Sequence, residues 1–459
     1  MNCYGIDITL KNTPPLDPDF IPFYRWEQEY LKGATVPLAV AILREDGKIA
    51  LWDTKIYGTD DRFDSDLFYV ERKIKFLLWA KGGYEITVCG NERIYYAIKE
   101  IYAKGGARDF DFVTMGNVYE HPFTVKHLPY DQKPAECDAS SPVGGHLDGC
   151  RIGFDAGGSD RKVSAVVDGK CVYSEEVVWH PKTQSDPEYH FRHIVEAFRT
   201  AASKMPRVDA IGISSAGIYV ENRTRLASLF LKVSPEDFEK KVTDIYPRAA
   251  KEIGNVPVLV ANDGDVTALA GAMDLGEGGV LGIAMGTSEA GGYVDEKGNI
   301  TGWLNELAFA PVDLNPQAME DEWSGDKGCG VKYFSQDAVI KLARRAGIAL
   351  DPSLTPAEKL KVVQTLADKG DENALAVFCS IGSYLAHTIP LYQTIYQIRH
   401  LLLLGRVTSG KGGEALIAQT RRVLKEEYPA LSINLVLPDE KSRRVGQSVA
   451  AASLPDILT

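Results

Sequence analysis

Along most of this chain the apolar positions fall in short runs, and their spacing switches between two residues and about 3.6 residues. Residues 37–43 and 48–54 read as strands around a Glu45-Asp46-Gly47 turn. A helix over 66–80, a strand over 84–89, a helix over 92–103 and a strand over 110–115 follow. The pattern stops between Leu128 and Cys150, where Pro129, Pro134, Pro142, Gly144, Gly145 and Gly149 mark a linker or crossover. It resumes with strands at 151–154, 163–167 and 171–178, the last two joined by Asp168-Gly169, and a helix over 187–204. A strand at 208–214 comes next. Ser234-Pro235-Glu236-Asp237 then reads as an N-cap, a first-turn proline and two acids, opening a helix that runs to about 252. A strand at 256–260 and a strand pair at 279–284 and 292–295 follow. Helices are predicted at 356–368 and 372–399, the second kinked at Pro390. A strand at 400–404, a helix at 414–427, a strand at 433–437 and a small-residue helix at 444–452 close the chain. Such alternation argues for an α/β fold.

The order before the linker resembles the order after it. Gly5-Ile6-Asp7 is like Gly153-Phe154-Asp155, and Asp46-Gly47-Lys48 is like Asp168-Gly169-Lys170. Internal duplication and chance both produce such likeness. No Gly-Gly turn follows Asp7, so a copy would have no phosphate site. The chain therefore divides into an N-terminal α/β domain (1–127), a linker (128–150) and a larger region (151–459).

Composition adds limits. The 459 residues leave room for two or three domains. Net charge is −12, and no basic stretch stands out, which does not favour nucleic-acid binding. The seven scattered cysteines form no C-x-x-C pair, as expected for reduced thiols in a cytoplasmic protein. The N-terminus has no signal-peptide pattern, and no apolar run is expected to span a membrane. Homo-oligomerisation is left open.

Four segments carry candidate chemistry. The first is Asp155-Ala156-Gly157-Gly158-Ser159-Asp160 with Lys162, at the turn between two strands. Glycines there let backbone N–H groups approach phosphate, and Asp155 at the strand end suits a metal held through water. The same pattern also makes an ordinary turn. The second, Gly286-Thr287-Ser288-Glu289-Ala290-Gly291-Gly292, repeats the arrangement about 130 residues on. Two such turns across a cleft would grip both ends of a polyphosphate. Between them a buried strand ends in Asn262-Asp263-Gly264-Asp265, where α/β sheets bind ligands. Its carboxylate suits a general base, and Asp263 or Asp265 equally suits a helix N-cap. The fourth, Leu404-Gly405-Arg406, ends a strand in a loop of the kind that covers a nucleotide base, and also of the kind that merely joins strand to helix.

Together these segments resemble the sugar-kinase, hexokinase and actin-like ATPase superfamily, and within it the ROK family of sugar kinases and repressors. Asp155 to Lys162 is similar to that family's first phosphate motif, D-x-G-G-T/S-x-x-K. Residues 211–217, ending in Gly217, resemble its connecting segment. Asn262-Asp263 matches the start of its N-D-A-N motif, and Gly286 to Val294 its second phosphate motif. Leu404-Gly405 and residues 446–452 resemble its adenosine side and its final helix. The resemblance implies a two-lobed, ribonuclease H-like fold with a central cleft. It implies ATP and Mg²⁺, a carbohydrate acceptor and Asp263 as base. Gly157, Gly158, Ser159, Lys162, Gly286, Thr287, Ser288 and Gly405 fall on the nucleotide. Gly217, Asn262 and Glu306 fall on the substrate.

Where the family carries G-E-x-G-H, this chain has Glu306 and Phe309. Of its cysteine-rich motif only Cys329 remains, and its sugar-binding glutamate is Val331. An upstream asparagine aligns loosely with Ser228. A structural zinc needs about four ligands, so none is expected. The N-terminus shows no helix-turn-helix, which weakens a repressor reading. An ATP-dependent sugar kinase is the favoured expectation. A non-catalytic sugar or nucleotide sensor and an ATPase with a non-sugar partner are the alternatives.

Overall fold

The computed structural model describes residues 1–138, 143–437 and 440–457, with only the backbone of 440–445. Residues 139–142, inside the expected linker, lie outside the described residues. The N-terminal region holds strands β1 (Val36–Leu43), β2 (Ile49–Ile56), β3 (Glu85–Cys89) and β4 (Thr124–Leu128). Its helices are α1 (Phe23–Leu31), α2 (Phe63–Lys81), α3 (Glu92–Ile101) and α4 (Asp109–Tyr119). The sheet order is β2-β1-β3-β4, with β1 antiparallel to both neighbours and β3 parallel to β4.

Lobe one is built on β5 (Cys150–Ala156), β6 (Asp160–Val167), β7 (Lys170–Val178), β8 (Ala210–Ser215) and β9 (Val258–Asn262), with α5 (Pro187–Ala202) and α6 (Ile245–Lys251). Its order is β9-β8-β5-β6-β7. The three strands β9, β8 and β5 are parallel, and β6 and β7 continue as an antiparallel meander. Helix α7 (Asp263–Leu275) then leads into lobe two. That lobe has β10 (Val280–Met285), β11 (Glu289–Val294), α8 (Gln336–Arg345), α9 (Pro356–Asp368), α10 (Glu372–Tyr392), β12 (His400–Leu404), α11 (Gly410–Glu427) and β13 (Asn434–Val436). Its sheet runs β11-β10-β12-β13, with β10, β12 and β13 parallel.

The last helix, α12 (Glu440–Ala452), crosses back onto the sheet of lobe one. Glycine is required where it lands. A Cβ on Gly153 would stand 1.8 Å from the Ser448 carbonyl oxygen, and one on Gly212 1.7 Å from that of Ala451.

The N-terminal α/β domain expected for 1–127 has its own sheet but not its own core. One continuous hydrophobic cluster runs from Trp26, Ile42 and Trp79 through Phe309, Tyr333 and Phe378 to Leu403. Helix α2 is buried on nearly every side, and its four cations, Arg72, Lys73, Lys75 and Lys81, are ion-paired. Arg72 binds Glu71 (2.6 Å) and Asp326 (2.9 Å), Arg108 binds the same two acids, and Lys75 binds Asp111 (3.1 Å). Burial alone would raise the Asp326 carboxyl, and the Arg72 and Lys75 cations override it and hold it low.

Four expectations need correction. Residues 110–115 lie in helix α4, not a strand; Phe-Asp-Phe-Val imitates alternation, but Asp111 turns inward to Lys75 and the Trp79 indole N–H. The helix from Ser234 to 252 is broken at Thr243-Asp244. Pro247 cannot continue a helix from upstream, and the Thr243 carbonyl instead accepts from Thr224 N–H at 2.9 Å. Helix α10 ends at Tyr392, two residues past Pro390, rather than at 399. By length and composition α10 would pass for a membrane span, yet 83% of its apolar window is buried inside the protein. Ile6–Asp7, likened to the strand before Asp155, pairs with Asn2–Cys3 outside the four-stranded sheet. The sequence reading missed α1 and α8.

Removing one partner from a buried ion network strands the others. Arg72→Met is expected to destabilise the fold by about 3 kcal/mol or more, read as a lower urea midpoint. An unchanged midpoint would mean that the network does not hold α2 to lobe two.

Candidate functional site

The parallel register of lobe one brings the first residues of the site together. Ser214 pairs with Asp155 on one side and Ala261 on the other, so Asp155, Ser214 and Asn262 reach the same C-terminal edge. Asp155 is 5% exposed. It accepts a hydrogen bond from Ser214 Oγ at 2.9 Å and lies 3.6 Å from Lys162 Nζ. Burial pushes its carboxyl up, and Lys162 opposes that shift.

Gly157, Gly158 and Ser159 form the turn between β5 and β6. Neither glycine has a positive φ. Gly157 needs room, since a Cβ there would meet the Asp160 carbonyl at 2.7 Å; at Gly158 the nearest atom is Cε of the flexible Lys182, 2.9 Å away. Trp179 fixes the turn through its indole N–H to Gly157 O (2.8 Å) and its backbone N–H to Ser159 O (3.1 Å). Ser159 Oγ donates to Asp160 Oδ2 at 3.1 Å.

Asn262, not Asp263 or Asp265, caps α7. Its Oδ1 accepts from Gly264 N–H at 2.7 Å and its Nδ2 donates to Gly217 O at 2.8 Å. Asp265 is also engaged, by Tyr293 N–H (3.0 Å) and Asn305 Nδ2 (2.8 Å). The Asp263 carboxyl accepts a 3.1 Å hydrogen bond from Gly264 N–H and, among the described residues, has no side-chain partner. Burial and the neighbouring Asp155 charge raise it to about 6, against the pull of Gly264 N–H and Lys182.

Helix α7 lies tight on lobe two, since a Cβ on Gly264 would sit 2.1 Å from Gly291 O. The second turn, Gly286-Thr287-Ser288, links β10 to β11. Its Gly286 N–H donates to Ser288 O, and Gln336 N–H donates to Gly286 O, both at 2.9 Å. Arg406 Nη2 donates to Thr287 Oγ1 at 3.0 Å. The adjacent Gly405 has φ +91°, and a Cβ there would strike Met285 O at 2.3 Å.

Glu306 stands near Asp263 and Asp265; burial and then those two charges raise its carboxyl to about 7. Glu289, 3% exposed, has no hydrogen-bond partner on either oxygen among the described residues; burial raises it to about 8, and Glu306 adds to the shift. The Tyr392 hydroxyl faces it outside ordinary hydrogen-bond geometry. Lys182 was not named from sequence, and Glu289 and Arg406 only as members of their segments. An acid in a run of small residues was the available signal for Glu289. Nothing in the spacing pointed to Lys182, which only the Trp179 elbow brings over Gly158.

The residues of the altered motif serve packing. Phe309 joins an aromatic cluster with Trp79 (4.2 Å between centroids), Phe110 (5.4 Å) and Trp323 (5.7 Å). Cys329 Sγ lies 3.7 Å from Asp326, and burial raises its thiol to about 12. Val331 is buried, and Ser228 opens a single 3₁₀ turn. Among the described residues, no three His, Cys, Asp or Glu side chains gather as a metal cage.

The ROK family model matches residues 151–443. The chain belongs to the ROK family. No curated protein matches it. Among solved structures, a ROK hexokinase from Thermus thermophilus is similar at 19% identity and TM-score 0.51, over 66% of this chain and 97% of that one. A ROK family glucokinase from Streptomyces griseus, solved with glucose and AMPPNP, has 20% identity and TM-score 0.46 over 66% and 98%. A ROK family transcriptional regulator, a homologue of the E. coli MLC protein, has 20% identity and TM-score 0.49 over 67% and 79%. The hexokinase likeness carries the two-lobed, actin-like ATPase fold. Residues 1–150 lie outside the family match.

Phe309 and the lone Cys329 leave too few donors for a structural zinc. Treatment with a strong chelator is expected to leave the melting temperature unchanged, and elemental analysis to find well under one zinc per chain. One tightly held zinc per chain would overturn the alignment of residues 305–331.

Proposed function

We propose that this protein transfers the γ-phosphoryl group of ATP to a hydroxyl of a carbohydrate. The observation that carries the reading is Asp263. It is a half-buried carboxyl with no side-chain partner among the described residues, near Asp155 and Lys182 and raised to about 6.

In this reading Asp263 accepts the proton of the acceptor hydroxyl as its oxygen attacks the γ-phosphorus. The bond from that phosphorus to the bridging oxygen of ADP breaks, and ADP leaves. Backbone N–H groups of Gly157, Gly158, Thr287 and Ser288 stabilise charge on the moving phosphoryl group. Lys162 and Ser159 serve the first turn. Lys182 and Arg406 supply cations from the two lobes. Gly405, next to Arg406 and so to the Thr287 turn, is assigned to the nucleotide side. Asn262 and Gly217 shape the acceptor end, and Glu306 accepts hydrogen bonds from its hydroxyls.

Asp155 suits Mg²⁺ held through water: it is an oxygen donor, nearly buried, with one oxygen fixed by Ser214. Bound there, the ion would neutralise charge on the β- and γ-phosphates. One observation favours a second reading, a non-catalytic sensor. Phe309 and Val331 stand where the family reads sugar hydroxyls, and Phe309 faces aromatic rings instead. ADP release across a panel of sugars separates the two.

Asp263→Asn is expected to lower kcat about a hundredfold or more with ATP affinity nearly intact. Near-wild-type turnover would remove the mechanism.

Because Asp263 must be ionised to accept the proton, kcat/KM is expected to rise with pH through about 6. Lys182→Met removes a cation that favours the ionised form, so the limb should move to higher pH and KM for ATP should rise. A limb unmoved by Lys182→Met, with unchanged KM, would take Lys182 out of the site.

A further inference from the structure

The final helix brings one long polar side chain to the site. Over residues 446–452, α12 reads Gly-Gln-Ser-Val-Ala-Ala-Ala, so Gln447 alone is longer than valine. The small residues let the helix lie close on β5, β8 and α7; a Cβ on Gly446 would stand 3.9 Å from that of Ala270. After Cys150 the chain passes between the lobes twice, through α7 and through α12. Gln447 sits where both passages meet the C-terminal edge of the lobe-one sheet.

Its side chain is half-buried, with Nε2 at 3.2 Å from Ser214 Oγ and 3.4 Å from the Asp263 carbonyl oxygen. A carbonyl can only accept, so the amide turns its NH₂ group this way, one N–H to each partner. The contact to Asp263 is the weaker of the two. It is the longer, and that carbonyl already accepts from Thr267 Oγ1 at 2.7 Å.

The bond to Ser214 has a consequence for Asp155. Ser214 is fully buried and carries a single O–H. With Gln447 donating into its lone pair, the hydroxyl hydrogen goes to Asp155 Oδ1, 2.9 Å away. The chain from Gln447 through Ser214 to Asp155 therefore runs in one direction and ends on the carboxylate. It fixes Oδ1 and leaves Oδ2 on the side of Lys162.

We propose that Gln447 is a positioning residue of the site: through Ser214 it holds the Asp155 carboxylate in the orientation that takes Mg²⁺ through water. This rests on the metal role given to Asp155 in the proposed function, and it extends the site to the last helix of the chain. Groups that orient a metal-holding carboxylate are commonly worth about tenfold or more in metal affinity.

Calorimetry of the full chain with AMPPNP, in the presence and absence of Mg²⁺, tests this without relying on turnover. Wild type is expected to bind AMPPNP more tightly with Mg²⁺ than without. Gln447→Met keeps the length and removes the N–H groups. It is expected to lower that Mg²⁺-dependent gain about tenfold, with the metal-free affinity and the melting temperature close to wild type. A side chain that only packs would move both affinities alike, or neither. Gln447→Ala, which favours the helix, is expected to give the same loss and serves where methionine disturbs the fold. Ser214→Ala is expected to lose the same gain, and adding Gln447→Met to it to cost nothing further. A gain kept in both Gln447 variants would overturn the proposal and leave the kinase reading standing. Losses that add in the double variant would overturn the route through Ser214, and the proposal with it. A wild type with no Mg²⁺-dependent gain would overturn both. A gain that depends on Gln447, in a protein that releases no ADP with any sugar, would uphold the proposal and remove the kinase reading.

Discussion

The cost of burying several carboxyl groups near one another governs the centre of this molecule. Asp155, Asp263, Asp265, Glu306 and Glu289 form a chain in which burial lifts each group and a neighbouring acid lifts it further. The values climb from about 6 at Asp263 through about 7 at Asp265 and Glu306 to about 8 at Glu289. Lys162 and Lys182 act at the Asp155–Asp263 end, so charge is most easily kept there. Glu289 sits at the other end, and no lysine or arginine opposes its rise. The fold thus sorts its acids by access to cations.

The N-terminal region answers a second constraint. The segment around residues 305–331 has few regular elements of its own, so something must hold it. Helix α2 does so from both sides. Trp79 packs on Phe309, and the carbonyls of Trp79 and Ala80 accept from Glu306 and Asn305 N–H at 2.9 Å. Arg72 and Lys75 reach Asp326 beyond. Glu306 is therefore positioned by backbone that begins outside the family match. This explains why α2 buries charges all round and shows no clean apolar stripe.

How much of this could be read beforehand depends on whether the information was local. The Asp155–Lys162 hairpin, the strand ending in Asn262 and the glycine turn at 286 are local patterns, and their elements formed close to where the periodicity put them. The cap of α7 was less legible, because Asn262, Asp263 and Asp265 are all good capping residues. Only the geometry shows that Asn262 has spent its side chain there and Asp263 has not. Residues 110–115 failed for a tertiary reason: Lys75, thirty-six positions away, is what draws Asp111 inward. Gln447 interrupts a run of small residues, but nothing in sequence tied it to Ser214, 233 positions away.

The same N-terminal region also touches lobe one, by contacts of another kind. Glu120, at the end of α4, pairs with Arg223 and Arg225 of the short hairpin at Ile218–Val220 and Arg223–Leu226. Glu120 is nearly half exposed and Arg223 a third, so that pair contributes at most about 1 kcal/mol, while Arg225 is nearly buried and holds both Glu120 oxygens. Against lobe two the region shares one continuous core and a buried ion network. Any closure of the lobes around a nucleotide would carry the N-terminal region with lobe two, and the strain would fall on the Glu120 pairs. The hairpin they hold begins next to Gly217, whose carbonyl is tied to Asn262. A shift of lobe two against lobe one would load this joint while Gly217 stays tied to Asn262.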